Sequence, residues 1–254
     1  MITKILLALV LAGSIGAVAG YLGSLMLTKR MALMGGALGH LTLPGVALAL
    51  LYDFDVSLGA VLFLGFGVSI IWYLEQKTTL HLEALTAVVF SASLATAFLF
   101  LPKEETDIAL LGDVSQISPL TALITVGIAA LLFFVIQSIY SDMVLVGISS
   151  DLAQSRGIDI KRRNLIYLAC IAVVVALGVR VVGGLMTAAL LAIPACTAKN
   201  LGTNLTQYVM ISTIAGATAC ILGVIGFAVT GLPAGPLIII ISAMLFLVSV
   251  VRKS

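Results

Sequence analysis

The sequence predicts an all-α, polytopic transmembrane helical bundle of about eight to nine membrane segments, some of them short and broken. Three observations predict it. Hydrophobic residues make up 61% of the chain, charged residues 9%, and the mean hydropathy is +1.25, a balance that no water-surrounded core requires. Several apolar stretches approach or exceed the ~20 residues that a helix needs to cross ~30 Å of hydrocarbon. The same stretches are twice the length of barrel strands and lack period-two alternation, so helices must satisfy their backbone groups in lipid.

Charges and turn residues divide the chain into apolar segments near 5–27, 31–52, 56–74, 84–101, 119–140, 164–180, 183–199, 207–230 and 233–251. The first follows Lys4 and is too long for the apolar core of a signal peptide, so a retained span is expected. Within it Gly13, Gly16, Gly20 and Gly23 form a close-packing pattern. The seventh segment, "LGVRVVGGLMTAALLAIPACTAKN", carries Gly183, Gly184 and Pro194 and is expected to be a broken helix; were it re-entrant, the crossing parity would change. Cys170, Cys196 and Cys220 lie in apolar stretches without a CxxC pair and look like small packing residues. The 254 residues form one transmembrane domain, and membrane lipid is its surroundings.

Lys and Arg set the orientation. With the N-terminus outside, one face collects Lys29, Arg30, Lys77, Arg156, Lys161, Arg162, Arg163, Lys199, Arg252 and Lys253, leaving Lys4, Lys103 and Arg180 for the other. The C-terminus is then cytoplasmic and the chain a multi-pass protein of the cell (inner) membrane. All 11 acidic residues fall in loops or at span ends. A self-contained secondary carrier or channel is the alternative reading, and the absence of a mid-membrane carboxylate counts against it.

The second segment contains "MGGALGHLTLPGVALAL". His40 lies near its middle, where an ionisable group is expensive and marks a candidate functional site. Pro44 lacks the N–H that would bond the carbonyl of His40, so the helix should kink there and free that carbonyl. Gly35, Gly36 and Gly39 leave a bare face that admits a neighbouring helix or a partly dehydrated ion. Two roles fit His40: an interhelical hydrogen bond, or a ligand to zinc, copper, iron or nickel, which imidazole suits better than calcium or magnesium.

Between the fifth and sixth segments, "SDMVLVGISSDLAQSRGIDIKRRN" should contain a short helix with Ser150 or Asp151 as N-cap, ended by Gly157 after Arg156. It fits either a docking helix for a protein partner or an ordinary positive loop. His81 is expected in a solvated loop. Asp113 could cap a short helix or line an external vestibule. The sequence has no GxxxxGK[ST] to hydrolyse ATP, and no HExxH or GxSxG, so an enzyme is not expected.

Four stretches in order, "GGALGHLTLPGVALAL", "DLAQSRGIDIKRR", "GGLMTAALLAIPACTA" and "GLPAGPLIII", resemble the membrane permease of the zinc/manganese ABC importers, the ABC-3 family. The resemblance implies a homodimeric permease that carries a divalent metal, zinc slightly ahead of manganese or iron. It holds no permanent cofactor. A separate ABC ATPase subunit uses the ATP, and an extracytoplasmic metal-binding protein delivers the cargo; no nucleic acid is implied. The cytoplasmic coupling loop falls at about 141–163, with Asp151, Ala153, Arg156, Gly157 and Ile158 at its recognisable positions. Gly183, Gly184 and Pro194 would belong to the lining near the dimer axis. The family's second-span motif reads aspartate, three residues, histidine. Here His40 matches and Gly36 holds the aspartate position. The metal site is then a neutral one made by two copies of His40, or takes its carboxylate from a vestibule residue such as Asp107 or Asp113, or serves a different cargo.

Overall fold

The structure is a computed structural model and describes residues 2–29, 31, 34–52, 54, 56–100, 119–183 and 186–253. Among these the regular elements are all helices: α1 (Ile2–Thr28), α2 (Met34–His40), α3 (Leu43–Leu51), α4 (Val56–Lys77), α5 (Leu82–Phe100), α6 (Pro119–Ile148), α7 (Ser150–Ser155), α8 (Ile160–Val182), α9 (Thr187–Leu201), α10 (Leu205–Thr230) and α11 (Ala234–Lys253). Six are long and apolar enough to span a bilayer: α1, α4, α6, α8, α10 and α11. Helix α5 and the α2–α3 pair are shorter apolar helices. The predicted segments therefore all appear as helices, with the second one divided.

The centre of the bundle is α1 packed on α10 and α9. Its apolar side chains cannot alone bring the helices this close. A Cβ added to Gly16 would run into the Gly216 carbonyl of α10, one at Gly20 into the Ser212 carbonyl, and one at Gly23 into the Leu191 carbonyl of α9. The glycines thus put backbone against backbone, as close-packing motifs do. Polar groups finish the seam. Ser212 Oγ donates to the Gly20 carbonyl at 2.6 Å, Tyr208 OH to the Ser24 carbonyl at 3.1 Å, and the Ser24 hydroxyl lies 3.0 Å from Tyr140 OH of α6. In lipid such bonds matter because no water competes for them.

The basic residues gather at one end. There Lys29 Nζ donates to Asn164 Oδ1 (3.0 Å), Asn164 Nδ2 donates to Glu75 Oε1 (2.7 Å), and Arg163 pairs with Asp142 (2.6 Å). These contacts place the C-terminal ends of α1, α4 and α6 beside the N-terminal end of α8. Lys199 stands over the Tyr208 ring, and Asn200 bonds Ser249, which brings the end of α9, the start of α10 and the end of α11 to that same end. Helix α9 therefore runs towards that end; with 15 residues it is about 22 Å long at 1.5 Å per residue, shorter than the six long apolar helices.

Two expectations need correction. The break in the seventh segment lies at Gly183, whose φ is +88°, and not at Pro194. Pro194 is buried inside an unbroken α9; its missing N–H is tolerated because neighbouring helices hold the segment on every side. The N-cap of α7 is Ser149, whose side chain accepts from Leu152 N at 3.3 Å, rather than Ser150 or Asp151, which form its first turn. Gly184, Asp107 and Asp113 lie outside the described residues.

Candidate metal path and coupling segment

The break of the second span is local chemistry. Helix α2 ends at His40, Leu41 and Thr42 form a turn, and Pro44 stands in the first turn of α3. That is the position where a proline's lost N–H costs least. Thr42 is fully buried, and its hydroxyl donates to the Gly39 carbonyl at 2.6 Å, satisfying one acceptor that the helix end leaves open. The kink expected at Pro44 is thus a complete break, and it leaves the His40 side chain on the last residue of a seven-residue helix.

His40 faces α5. Its ring centroid is 5.2 Å from that of Phe90, and its Nδ1 is buried with no hydrogen-bond partner among the described residues. An unsatisfied buried nitrogen costs free energy, about 1–3 kcal/mol, and such a group calls for an explanation. The two helices enclose a cavity of about 370 Å³, with Gly36, Ala37 and His40 on the α2 wall and Glu83, Thr86 and Phe90 on the α5 wall. Gly36 opens onto it. A Cβ there would meet only the Cβ of Ala188, at 3.1 Å. Gly35 serves packing instead, since a Cβ would press on Leu191 and Met26.

The structure brings together Gly36 and His40, as the spacing required, and Pro44 on the far side of the break. Pro44 lines a separate cavity of about 220 Å³ between α3, α4 and α5. Sequence reasoning misses Glu83. By sequence it is one carboxylate among those at span ends, and only the packing of α2 on α5 reveals that this one opens into the His40 cavity. No three His, Cys, Asp or Glu side chains converge among the described residues. His81 is exposed, as expected for a solvated residue.

The second locus is the α7 segment. Gly157, with φ +76°, ends α7: Ile158 N donates to the Ala153 carbonyl at 3.1 Å, and Gly157 N to the Gln154 carbonyl at 2.9 Å. This paired pattern terminates a helix through a left-handed residue. Ala153 is buried and anchors α7, while Asp151, Leu152 and Arg156 face outward. Asp159 caps α8 by accepting from Arg162 N at 3.1 Å. Arg156 and Ile158 line a cavity of about 360 Å³ against the end of α6. The segment is therefore a short, rigidly capped protrusion at the basic end of the bundle.

Just inside that end lies the Lys29–Asn164–Glu75 chain. Burial pushes the Lys29 ammonium down to about 8, with the Glu75 carboxylate acting in the opposite direction. Lys29 also stands 4.9 Å over the centre of the Tyr167 ring, a favourable position for a desolvated cation.

Known proteins place this arrangement. The manganese import system permease protein ScaB of Streptococcus gordonii is 30% identical, over 95% of this chain and 88% of its own length. The high-affinity zinc uptake system membrane protein ZnuB of Buchnera aphidicola subsp. Baizongia pistaciae is 25% identical, over 93% of each chain. The solved structure of PsaBC from Streptococcus pneumoniae in complex with Fab matches with a TM-score of 0.81 at 26% identity, covering 98% of this chain and 95% of that one. The family model that describes the ABC 3 transport family matches residues 1–253, and the chain belongs to that family.

Proposed function

We propose that the chain is the permease subunit of an ATP-driven importer of a divalent transition metal, manganese or zinc, and that the metal passes His40. The observation that carries the reading is His40 on the wall of the α2–α5 cavity, its Nδ1 buried and without a hydrogen-bond partner among the described residues. A neutral imidazole with a free nitrogen is a ready ligand, and an open, incomplete donor set lets an ion leave as well as enter. Imidazole alone favours zinc; the oxygen donors of Glu83 in the same cavity bring manganese level. Relatives named for each metal support the same class.

The energy comes from a partner. With no phosphate-binding loop of its own, the chain relies on an ABC ATPase, and the α7 protrusion with Asp151, Ala153, Arg156, Gly157 and Ile158 is its docking element. The bonds that end α7 make it stiff enough to carry displacement into α6 and α8. Placing the basic end in the cytoplasm follows the excess of Lys and Arg there. A second copy of the permease completes the pathway, and an extracytoplasmic metal-binding protein supplies the ion.

The test is metal content by mass spectrometry in metal-limited cells lacking this gene, complemented with wild type or with His40→Ala at matched expression. Wild type restores manganese or zinc selectively and His40→Ala does not. Equal restoration by the variant would remove His40 from the path.

A further inference from the structure

We propose that Glu83 is the acidic station of the metal path, taking the ion from His40 at the mouth of the α2–α5 cavity and replacing the carboxylate that Gly36 lacks. The inference rests on the importer reading above and extends it to a residue on a different helix.

The cavity itself makes the case. Of the residues that line it, only His40 and Glu83 are ionisable; Gly36, Ala37 and Phe90 carry no charge, and Thr86 donates its hydroxyl to the Leu82 carbonyl of its own helix at 2.8 Å. A divalent ion in so apolar a space needs a negative partner. Glu83 is the one that the lining offers, and it makes no ion pair among the described residues.

Geometry makes the two groups successive stations rather than ligands of one cage. Helices α2 and α5 both leave the basic end and run the same way. Phe90 is level with His40 through their ring contact of 5.2 Å. Glu83 stands seven residues earlier on α5, about 10 Å closer to the basic end at 1.5 Å per residue. An ion leaving the imidazole therefore moves along the cavity towards the carboxylate, which is exposed in the first turn of α5 near the basic end. Gly36 adds no side chain to the wall along the way.

Glu83 also lies in the first turn of α5, where a carboxylate stabilises the helix end, so the experiment separates the two roles. The full chain, assembled with its ATPase partner, is purified as wild type, Glu83→Gln, Glu83→Asp, His40→Ala and the pair Glu83→Gln with Gly36→Asp. Manganese(II) binding is read by electron paramagnetic resonance, with zinc(II) as competitor, beside uptake in metal-limited cells. Glu83→Gln is expected to weaken binding and uptake by about ten-fold or more, the scale on which lost metal-site partners act, at an unchanged melting temperature. Glu83→Asp keeps most of both. In the paired variant Gly36→Asp restores uptake from the opposite wall, which a helix-end role cannot do.

Wild-type binding and uptake in Glu83→Gln, with His40→Ala inactive, would overturn the acidic station while leaving the importer reading intact. Wild-type uptake in both single variants would remove the importer reading's path as well. A loss in Glu83→Gln that is shared by Glu83→Asp and follows a lowered melting temperature would make Glu83 a helix-end residue and overturn the proposal.

Discussion

The seam of α1 with α10 and the cavity between α2 and α5 are built on the same residue type to opposite effect. Along α1, Gly16, Gly20 and Gly23 have the carbonyls of Gly216, Ser212 and Leu191 where a Cβ would be, and Ser212 and Tyr208 bond across the gap. In α2, Gly36 lines the cavity and a Cβ there would meet only the Cβ of Ala188, and the neighbouring His40 nitrogen lacks a partner among the described residues. The first region has no room and no unmet polar group among those that bridge it; the second has both room and an unmet nitrogen. The contrast shows what a glycine in a membrane helix can mean. What its absent Cβ would have met decides between a packing position and a passage.

That contrast can be broken, and the largest expected effect is in the seam. Gly20→Val forces two helix backbones apart and should cost about 3 kcal/mol or more, at or beyond the top of the usual range for overpacking; detergent-solubilised protein should aggregate in size-exclusion chromatography. A monodisperse, fully heat-stable Gly20→Val would show that the seam is not close-packed. Gly36→Ala should leave the melting temperature nearly unchanged, since the neighbouring Ala188 need give only slightly.

Asn164→Ala comes next. It removes the bridge between Lys29 and Glu75 and leaves both charges without it, an expected loss of about 1.5–3 kcal/mol by chemical denaturation in detergent. Ser212→Ala removes one neutral hydrogen bond to the Gly20 carbonyl and should cost about 1 kcal/mol.

The remaining prediction is a pH dependence, read as a slope rather than as a loss. Burial sets the Lys29 ammonium at about 8 in the folded chain, below its ordinary value near 10.4. Between those values the unfolded chain holds the proton that the folded chain has released, so stability should rise with pH across that window. Below about 8 both states are protonated and the cost of burying the charge is fully present. Melting temperature measured from about pH 7.5 to 9.5 should therefore climb in wild type by more than in Lys29→Met. Identical slopes in the two proteins would contradict the burial of a charge there.

Much of the fold is legible in the sequence because the bilayer reduces the problem to length and hydropathy. The apolar runs are helices, most of them near their expected limits, although α6 continues past the expected end at 140 to Ile148, into the stretch expected as loop, and Gly157 ends α7 as its left-handed conformation requires. Pro194 misleads, because whether a proline breaks a helix depends on the neighbours that hold it, and these come from other helices, α1, α10 and α11. The site is half legible. His40, Gly36 and Pro44 announce themselves within one segment, where spacing on a helix is enough. Glu83 is separated from His40 by the whole of α3 and α4, and no periodicity links it to the cavity; only tertiary packing does. The cap of α7 differs from its expected place by one residue, since three candidates, Ser149, Ser150 and Asp151, stand in a row and each can accept from the backbone.

The most direct test of the account is whether metal traverses the α2–α5 cavity. Ala87 lines it on the α5 side and is exposed, whereas Cys170 and Cys220 are buried. An Ala87→Cys variant, treated with a bulky thiol reagent, should lose manganese and zinc uptake in proportion to its labelling, and manganese(II) should slow that labelling. Wild type carried through the same treatment should keep its uptake. Full modification of the introduced thiol with uptake unchanged would contradict the path.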